Sequence, residues 1–244
     1  MISIPRSIVA AVDFGDASAR AVATAGAIAE RCRATLTLLH AELLEAPAYF
    51  TAEQVDALER QRHALHVQAE QFLIRFGRRH TLAAFSAAID ERAPVDAIVH
   101  ASGAADFVIM GTHGRHGPKR WWLGSVAERV LREVAQPLLV VRADGSAPSS
   151  GLFDRPVIHA GMGTDLAAIT DYAHALAGCF GGHLLDGSDD PLDLAVRRTH
   201  ATIAIVPAPQ PRTPEWLARH GEPLVRFCTV PILFVPVITE GVTS

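Results

Sequence analysis

The sequence predicts an α/β protein: two tandem open parallel five-stranded sheets with helices on both faces, the second truncated. Three observations carry this prediction. Short apolar runs rich in β-branched residues alternate with helical patterns from residue 7 onward, which is how a mostly parallel sheet is written. Strand, glycine-rich loop, helix and strand follow one another between Asp106 and Arg142. After a run of small and turn-forming residues, Gly145 to Gly151, the same order restarts in shorter form.

Taken in order, Ser7 to Val12 is an apolar strand closed by Asp13, and Asp16 to Arg33 is an alanine-rich helix with Asp16 or Ser18 placed to cap it. Thr35 to Ala41 is apolar and β-branched enough for a second strand, and Pro47 breaks the connection beyond it. Thr51 to Phe76 reads as the longest helix. Thr51 and Gln54 form a capping box, Val55, Leu58, Leu65, Ala69, Phe72 and Phe76 share one face, and Gly77 is the stop signal. Leu82 to Asp90 fits strand or helix by period, and alternation with helices favours a third strand. Pro94 to Ser102 is a short helix, and Phe107 to Met110 a buried strand that ends at Gly111. Ser125 then opens a helix whose apolar face is Val126, Val130, Leu131 and Val134, and Pro137 leads into the fifth strand, Leu138 to Val141.

The loop between the fourth strand and that helix carries Gly111, Gly114, Gly124 and Ser125, with Arg115, Lys119 and Arg120 along it. A helix N-terminus offers unpaired N–H groups and the positive end of a dipole, and glycines let an anion approach the backbone, so a phosphate fits here. Ser125 with Glu128 also reads as an ordinary capping box, so helix initiation alone is the competing reading. Asp13, Ala41 and the loop all follow strand ends. In open parallel sheets ligands bind outside the carboxyl ends of the strands, where the order reverses, and these distant segments can therefore meet in one crevice.

Gly111-x-x-Gly114-x9-Gly124-Ser125, followed by Val126-Ala-Glu-Arg-Val-Leu131 and Pro137-Leu-Leu-Val-Val-Arg142, resembles the signature of the universal stress proteins, in the branch that binds ATP. The resemblance covers about the first 143 residues. It implies a Rossmann-like fold of the adenine nucleotide alpha hydrolase type, with Gly111, Gly114, Arg115, Gly124, Ser125 and Val126 around the phosphates of ATP, bound with Mg²⁺. It places Asp13 beside the adenosine and the Ala41 backbone on the adenine, with the strand-end residues Val12 and Met110 completing the set. The family usually carries a larger aliphatic residue at the Ala41 position, so the base contact is looser here. Pro118 and the pair Trp121-Trp122 also depart from the pattern; packing of the indoles on the sheet is favoured over a partner-facing patch. The resemblance further implies that two such domains pair through their last strands, here Leu138 to Val141 and Ile232 to Val235, leaving other surfaces for a homodimer.

The domain reading is residues 1–143 as the nucleotide-binding unit, 144–153 as a linker and 154–244 as a shortened, degenerate copy. Arg155-Pro-Val-Ile-His-Ala parallels Arg6-Ser-Ile-Val-Ala-Ala, Pro191-Leu-Asp-Leu-Ala-Val parallels Pro94-Val-Asp-Ala-Ile-Val, and Val230-Pro-Ile-Leu-Phe-Val parallels Gln136-Pro-Leu-Leu-Val-Val. In place of a glycine loop, the strand Thr202 to Val206 is followed by Pro207-Ala-Pro-Gln-Pro-Arg-Thr-Pro214, which cannot supply the N–H groups a phosphate needs. Gly161-x-Gly163 with Asp186 is half of a dinucleotide fingerprint, but Leu166 stands where the third glycine belongs.

The composition, 49% hydrophobic and 20% charged over 244 residues with a net charge of −4, gives no basic footprint for nucleic acid and no polybasic segment for a membrane surface. Cys32, Cys179 and Cys228 form no C-x-x-C, no apolar run reaches a membrane span and no leader is evident, which reads as cytoplasmic. The pairs His63/His66 and His113/His116 lack a local third ligand for a metal. No general base stands out beside the phosphates, so the expectation is a nucleotide-responsive regulatory protein acting through an unidentified protein partner, against two alternatives: a scaffold without nucleotide, and a slow ATP hydrolase or adenylyl-transfer enzyme.

Overall fold

The computed structural model describes residues 4–43, 52–112, 124–143, 151–159, 167–187, 190–210 and 212–238. The first half supplies β1 (Ser7–Ala11), α1 (Asp16–Cys32), β2 (Thr35–Ala41), α2 (Ala52–His80), β3 (Ser86–Asp90), α3 (Pro94–Ser102), β4 (Phe107–Gly111), α4 (Ser125–Glu133) and β5 (Leu138–Val141). The second half supplies β6 (Pro156–Ile158), α5 (Ala167–Phe180), β7 (Leu185–Asp186), α6 (Leu192–Thr199), β8 (Ile203–Gln210), α7 (Pro214–Trp216), a π-helical turn (Leu217–Gly221), α8 (Glu222–Phe227) and β9 (Ile232–Ile238).

The strands join edge to edge in the order β3-β2-β1-β4-β5-β9-β8-β6-β7. The two sheets read from the sequence thus form one nine-stranded sheet among the described residues. All neighbours are parallel except β5 and β9, which run antiparallel with Leu138 opposite Phe234 and Val140 opposite Ile232. These are the two last strands that the resemblance led one to expect together. Each would otherwise leave an apolar edge with unpaired backbone groups, and pairing removes both edges at once.

Alternation along the strands divides the core into two layers. Ile8, Leu38, Ile109, Leu139, Ile205 and Leu233 face α1, α2 and α5. Val9, Leu39, Val108, Leu138, Ala204 and Phe234 face α3, α4, α6 and the segment from Trp216 to Val225. Burial on both faces explains why the strands read as continuous apolar runs instead of alternating ones.

Two arginines fasten the halves to each other. Arg142, just past β5, donates from Nη1 to the carbonyls of Val225 and Arg226 in the last turn of α8. Arg212, just past β8, donates from Nη1 to the carbonyls of Leu131 and Val134 at the end of α4. Each half thereby supplies a cation to the negative end of a helix in the other half.

Several element boundaries depart from the sequence reading. α1 begins after Gly15, which makes no side-chain cap; Asp16 and Ser18 lie inside the helix, and Ser18 Oγ donates to the Gly15 carbonyl at 3.0 Å. α2 continues through Gly77 to His80, because Gly77 is small for packing and not for stopping: a Cβ there would lie 2.4 Å from Phe85 and 2.6 Å from Leu38. Thr51 of the expected capping box lies outside the described residues. β3 starts at Ser86, later than the sequence reading of Leu82.

The first part of the proline run, Pro207 to Gln210, continues β8 as strand. The Ala204 N–H donates to Pro231 O toward β9, so alternate residues Ile205, Pro207 and Pro209 face the β6 side. β6 ends at Ile158, whose partner is Ile205, so Pro207 and Pro209 present their missing N–H where no strand of the described residues receives it. β9 then pairs along the whole of β8 as far as Gln210.

Cys228 is buried at the end of α8, and burial pushes its thiol up from 9.0 to about 11. The fold prefers the neutral thiol, so its contribution is complete below pH 9 and is lost as the pH rises from 9 to about 11. Urea unfolding across that interval is expected to show a loss about 2–3 kcal/mol larger in the wild type than in Cys228→Ala, in which the raised Cys32 thiol still titrates. Equal pH slopes in the two proteins would contradict this assignment.

Candidate functional site

The register gathers the predicted residues at one end of the sheet. Ala11 is opposite Leu39, which brings Asp13 level with Ala41, and Ala10 is opposite Ile109, which brings Val12 level with Gly111. Strand order reverses between β1 and β4: β2 and β3 lie on one side, β5 on the other. The carboxyl ends of β1, β2 and β4 therefore border the position where open parallel sheets hold ligands.

Gly111 is where α1 comes closest to β4. A Cβ on it would lie 2.7 Å from the Ala17 Cβ and 3.1 Å from the Ser18 nitrogen. The chain then turns at buried Thr112, whose N–H donates to Val141 O at 2.9 Å while its carbonyl accepts from the Gly124 N–H at 2.9 Å. Those two bonds fasten the start of α4 to the ends of β4 and β5.

α4 begins with Gly124 as its cap residue, at φ −62 and ψ 150, with no side-chain cap. Ser125 occupies the first helical position, and the intrahelical ladder starts only when the Glu128 N–H reaches Gly124 O at 2.9 Å. The capping-box reading of Ser125 and Glu128 is thus not realised. The amides of Ser125, Val126 and Ala127 precede the ladder, and Ser125 is exposed. Such a turn suits an anion.

Opposite it, Asp13 accepts the Gly15 N–H on Oδ1 at 2.9 Å, forming the turn into α1. Val12 and Met110 are buried, whereas Asp13, Ala41, Gly111, Gly124 and Val126 are half-buried. Gly114 and Arg115 lie outside the described residues, as do Pro118, Lys119, Arg120, the two adjacent tryptophans, His113, His116 and the half-fingerprint at Gly161 to Leu166. Among the described residues no group of three metal-ligating side chains occurs.

Sequence reasoning missed a contact on the β1 side. The His40 ring meets the Val12 carbonyl through Nδ1 at 2.7 Å and packs on Phe14, with ring centroids 4.4 Å apart. Phe14 has φ 63, a left-handed backbone rarely taken by a bulky residue, and its ring also meets Phe72 at 4.7 Å and Phe76 at 5.4 Å. The turn after Asp13 is therefore held by an aromatic cluster from β2 and α2. Its only trace in the sequence is the polar His40 at the end of an apolar strand.

Comparison with known proteins agrees with this architecture. Residues 5–142 match the family model described as the universal stress protein family. A universal stress protein of Methanocaldococcus jannaschii is 53% identical over 38 residues, which is 16% of this chain and 22% of that protein. The matched stretch therefore spans less than a quarter of the relative's length. The solved structure of a universal stress protein from Archaeoglobus fulgidus superposes with a TM-score of 0.63 at 16% identity, covering 95% of this chain and 98% of the other. A Pseudomonas aeruginosa protein of unknown function superposes with a TM-score of 0.60 at 14% identity, covering 95% and 92%. At these identities the likeness shows the fold.

Proposed function

The chain belongs to the universal stress protein family, and from that membership we propose that its first half binds ATP, with Mg²⁺ as counter-ion, and signals occupancy to a protein partner. One observation carries the reading. The Thr112 carbonyl holds Gly124 at the end of β4, so that the first-turn amides of α4 start beside the strand-order reversal. In this reading Gly111, Gly114, Arg115, Gly124, Ser125 and Val126 surround the phosphates, Asp13 lies by the adenosine, the Ala41 backbone meets the adenine, and Val12 and Met110 complete the nucleotide-binding set. Residues 154–244 act as a shortened degenerate copy without nucleotide, after a linker at 144–153. A homodimer uses surfaces other than the β5–β9 seam, and the protein works in the cytoplasm. Among the described residues no helix is long and apolar enough to cross a membrane.

Nucleotide binding then changes the surface offered to the partner. Calorimetry with ATP and Mg²⁺ is expected to give saturable heat with a Kd below about 1 mM, a binding free energy of at least ~4 kcal/mol. The double substitution Gly114→Val, Gly124→Val is expected to weaken it at least ~10-fold, about 1.4 kcal/mol. No heat from the wild type, or undiminished heat from the double variant, would defeat the proposal.

A further inference from the structure

The carboxyl ends of β6 and β8 border a second cavity, of about 220 Å³. Strand order reverses here too, since β6 has β7 on one side and β8 on the other. Among the described residues, β8 is followed at this end of the sheet by no glycine loop like the one after β4. Pro207 in the cavity wall has no N–H to offer, and Leu192, Val206, Leu224 and the Trp216 indole give the lining its apolar part.

We propose that this cavity binds a small organic acid bearing one aromatic ring, the ring against Trp216 and the aliphatic wall, the carboxylate at Arg219. Size argues for one ring. At ~30 Å³ per water the space equals about seven waters, and it falls below the ~300 Å³ at which pockets for drug-sized ligands begin.

The wall argues for an aromatic ring. Trp216 is held edge-on by Phe234 at 6.3 Å and lies within 23° of parallel to the His220 ring at 6.2 Å, so a flat apolar surface is set before any ligand arrives. The π-helical turn at Leu217–Gly221 carries Arg219 and His220 on the same wall directly after that indole, and such insertions are frequent at functional sites.

Arg219 is what argues for an acid. It is the permanent cation of the lining, beside His159 and His220, with Asp193 as the carboxylate that a ligand's own acid group must avoid. Arg219 is exposed, keeps its charge at any physiological pH and presents a planar fork to a carboxylate. Cys228 completes the floor as a buried thiol.

The test is calorimetry on the full chain with phenylacetate, its neutral isostere phenylacetamide and its cationic analogue phenethylamine. Phenylacetate is expected to bind with a Kd below about 1 mM and at least ~10-fold tighter than either analogue. Arg219→Gln, a change at an exposed position, is expected to abolish the preference for the acid while leaving phenylacetamide unchanged. Trp216→Leu is expected to weaken both ligands, with circular dichroism reporting whether it folds. Absence of heat at about 10 mM phenylacetate, equal binding of acid and amide, preference for the amine, or an unaltered profile in Arg219→Gln would each overturn the assignment. The outcome is independent of ATP binding in the first half, which the glycine substitutions read separately.

Discussion

Arg212→Ala is expected to lower the unfolding free energy by about 3–5 kcal/mol, and Arg212→Met by about 1–3 kcal/mol. Arg212 is 2% exposed and has no carboxylate partner among the described residues; burial lowers its pKa to about 10. Its Nε and Nη2 find no hydrogen-bond partner among the described residues, so the guanidinium is held by Nη1 on the Leu131 and Val134 carbonyls and by the negative end of α4. Desolvating the cation costs several kcal/mol, which two charge-assisted bonds at ~1.5–3 kcal/mol each and up to ~2 kcal/mol from the helix dipole roughly offset. Net worth and cost of removal are different quantities, however. Alanine leaves a cavity and orphans the Leu131 carbonyl, whereas Val134 O keeps a 3.3 Å bond from Gln210 Nε2. Methionine fills most of the volume and leaves only the polar loss. Urea unfolding of both variants measures the difference, and a methionine variant more stable than wild type would show that desolvation outweighs the caps.

Gly111→Val is expected to weaken ATP binding by about 100-fold, near 2.7 kcal/mol, and to destabilise the fold by about 1–3 kcal/mol. Its Cβ would lie 3.0 Å from the Ala17 carbonyl carbon as well as 2.7 Å from the Ala17 Cβ. The obstacle is partly backbone, so a rotamer change does not relieve it. Either α1 moves away from β4, carrying the Asp13 to Gly15 turn with it, or β4 shifts and displaces Thr112, which fastens Gly124. Both routes separate the two walls of the candidate site. The double-glycine variant is aimed at phosphate access, away from the α1–β4 contact that Gly111 makes. Its melting temperature is therefore expected to stay near wild type while that of Gly111→Val falls. ATP binding by a correctly folded Gly111→Val protein at wild-type strength would place the nucleotide elsewhere.

Much of the architecture was legible because it is written in local periodicity. The boundaries of β2, α3 and β5 follow directly from apolar runs and from Pro94 and Pro137. The strand, glycine and helix order around Gly111 and Gly124 pointed to the end of the sheet where the register does gather Val12, Asp13, Ala41 and Met110. Side-chain caps were less legible. Ser125 and Glu128 have the spacing of a capping box, yet Gly124 takes the cap position because its N–H is held by Thr112.

From the chain of letters alone came the α/β class, the two successive runs of strands and helices, and the location of an anion-suited helix start. What required the folded molecule is everything that depends on who lies next to whom. Pro207 and Pro209 read as strand breakers until β6 proves to end at Ile158, leaving a side of β8 where a missing N–H costs nothing. Gly77 reads as a helix stop until Phe85 and Leu38 prove to press against it. Nothing in the local sequence assigns Arg142 and Arg212 a partner; the antiparallel β5–β9 seam brings each to the helix end of the opposite half. Period and composition act within a few residues of chain, whereas edges, close approaches and helix-end charges are settled by segments that are neighbours only in space.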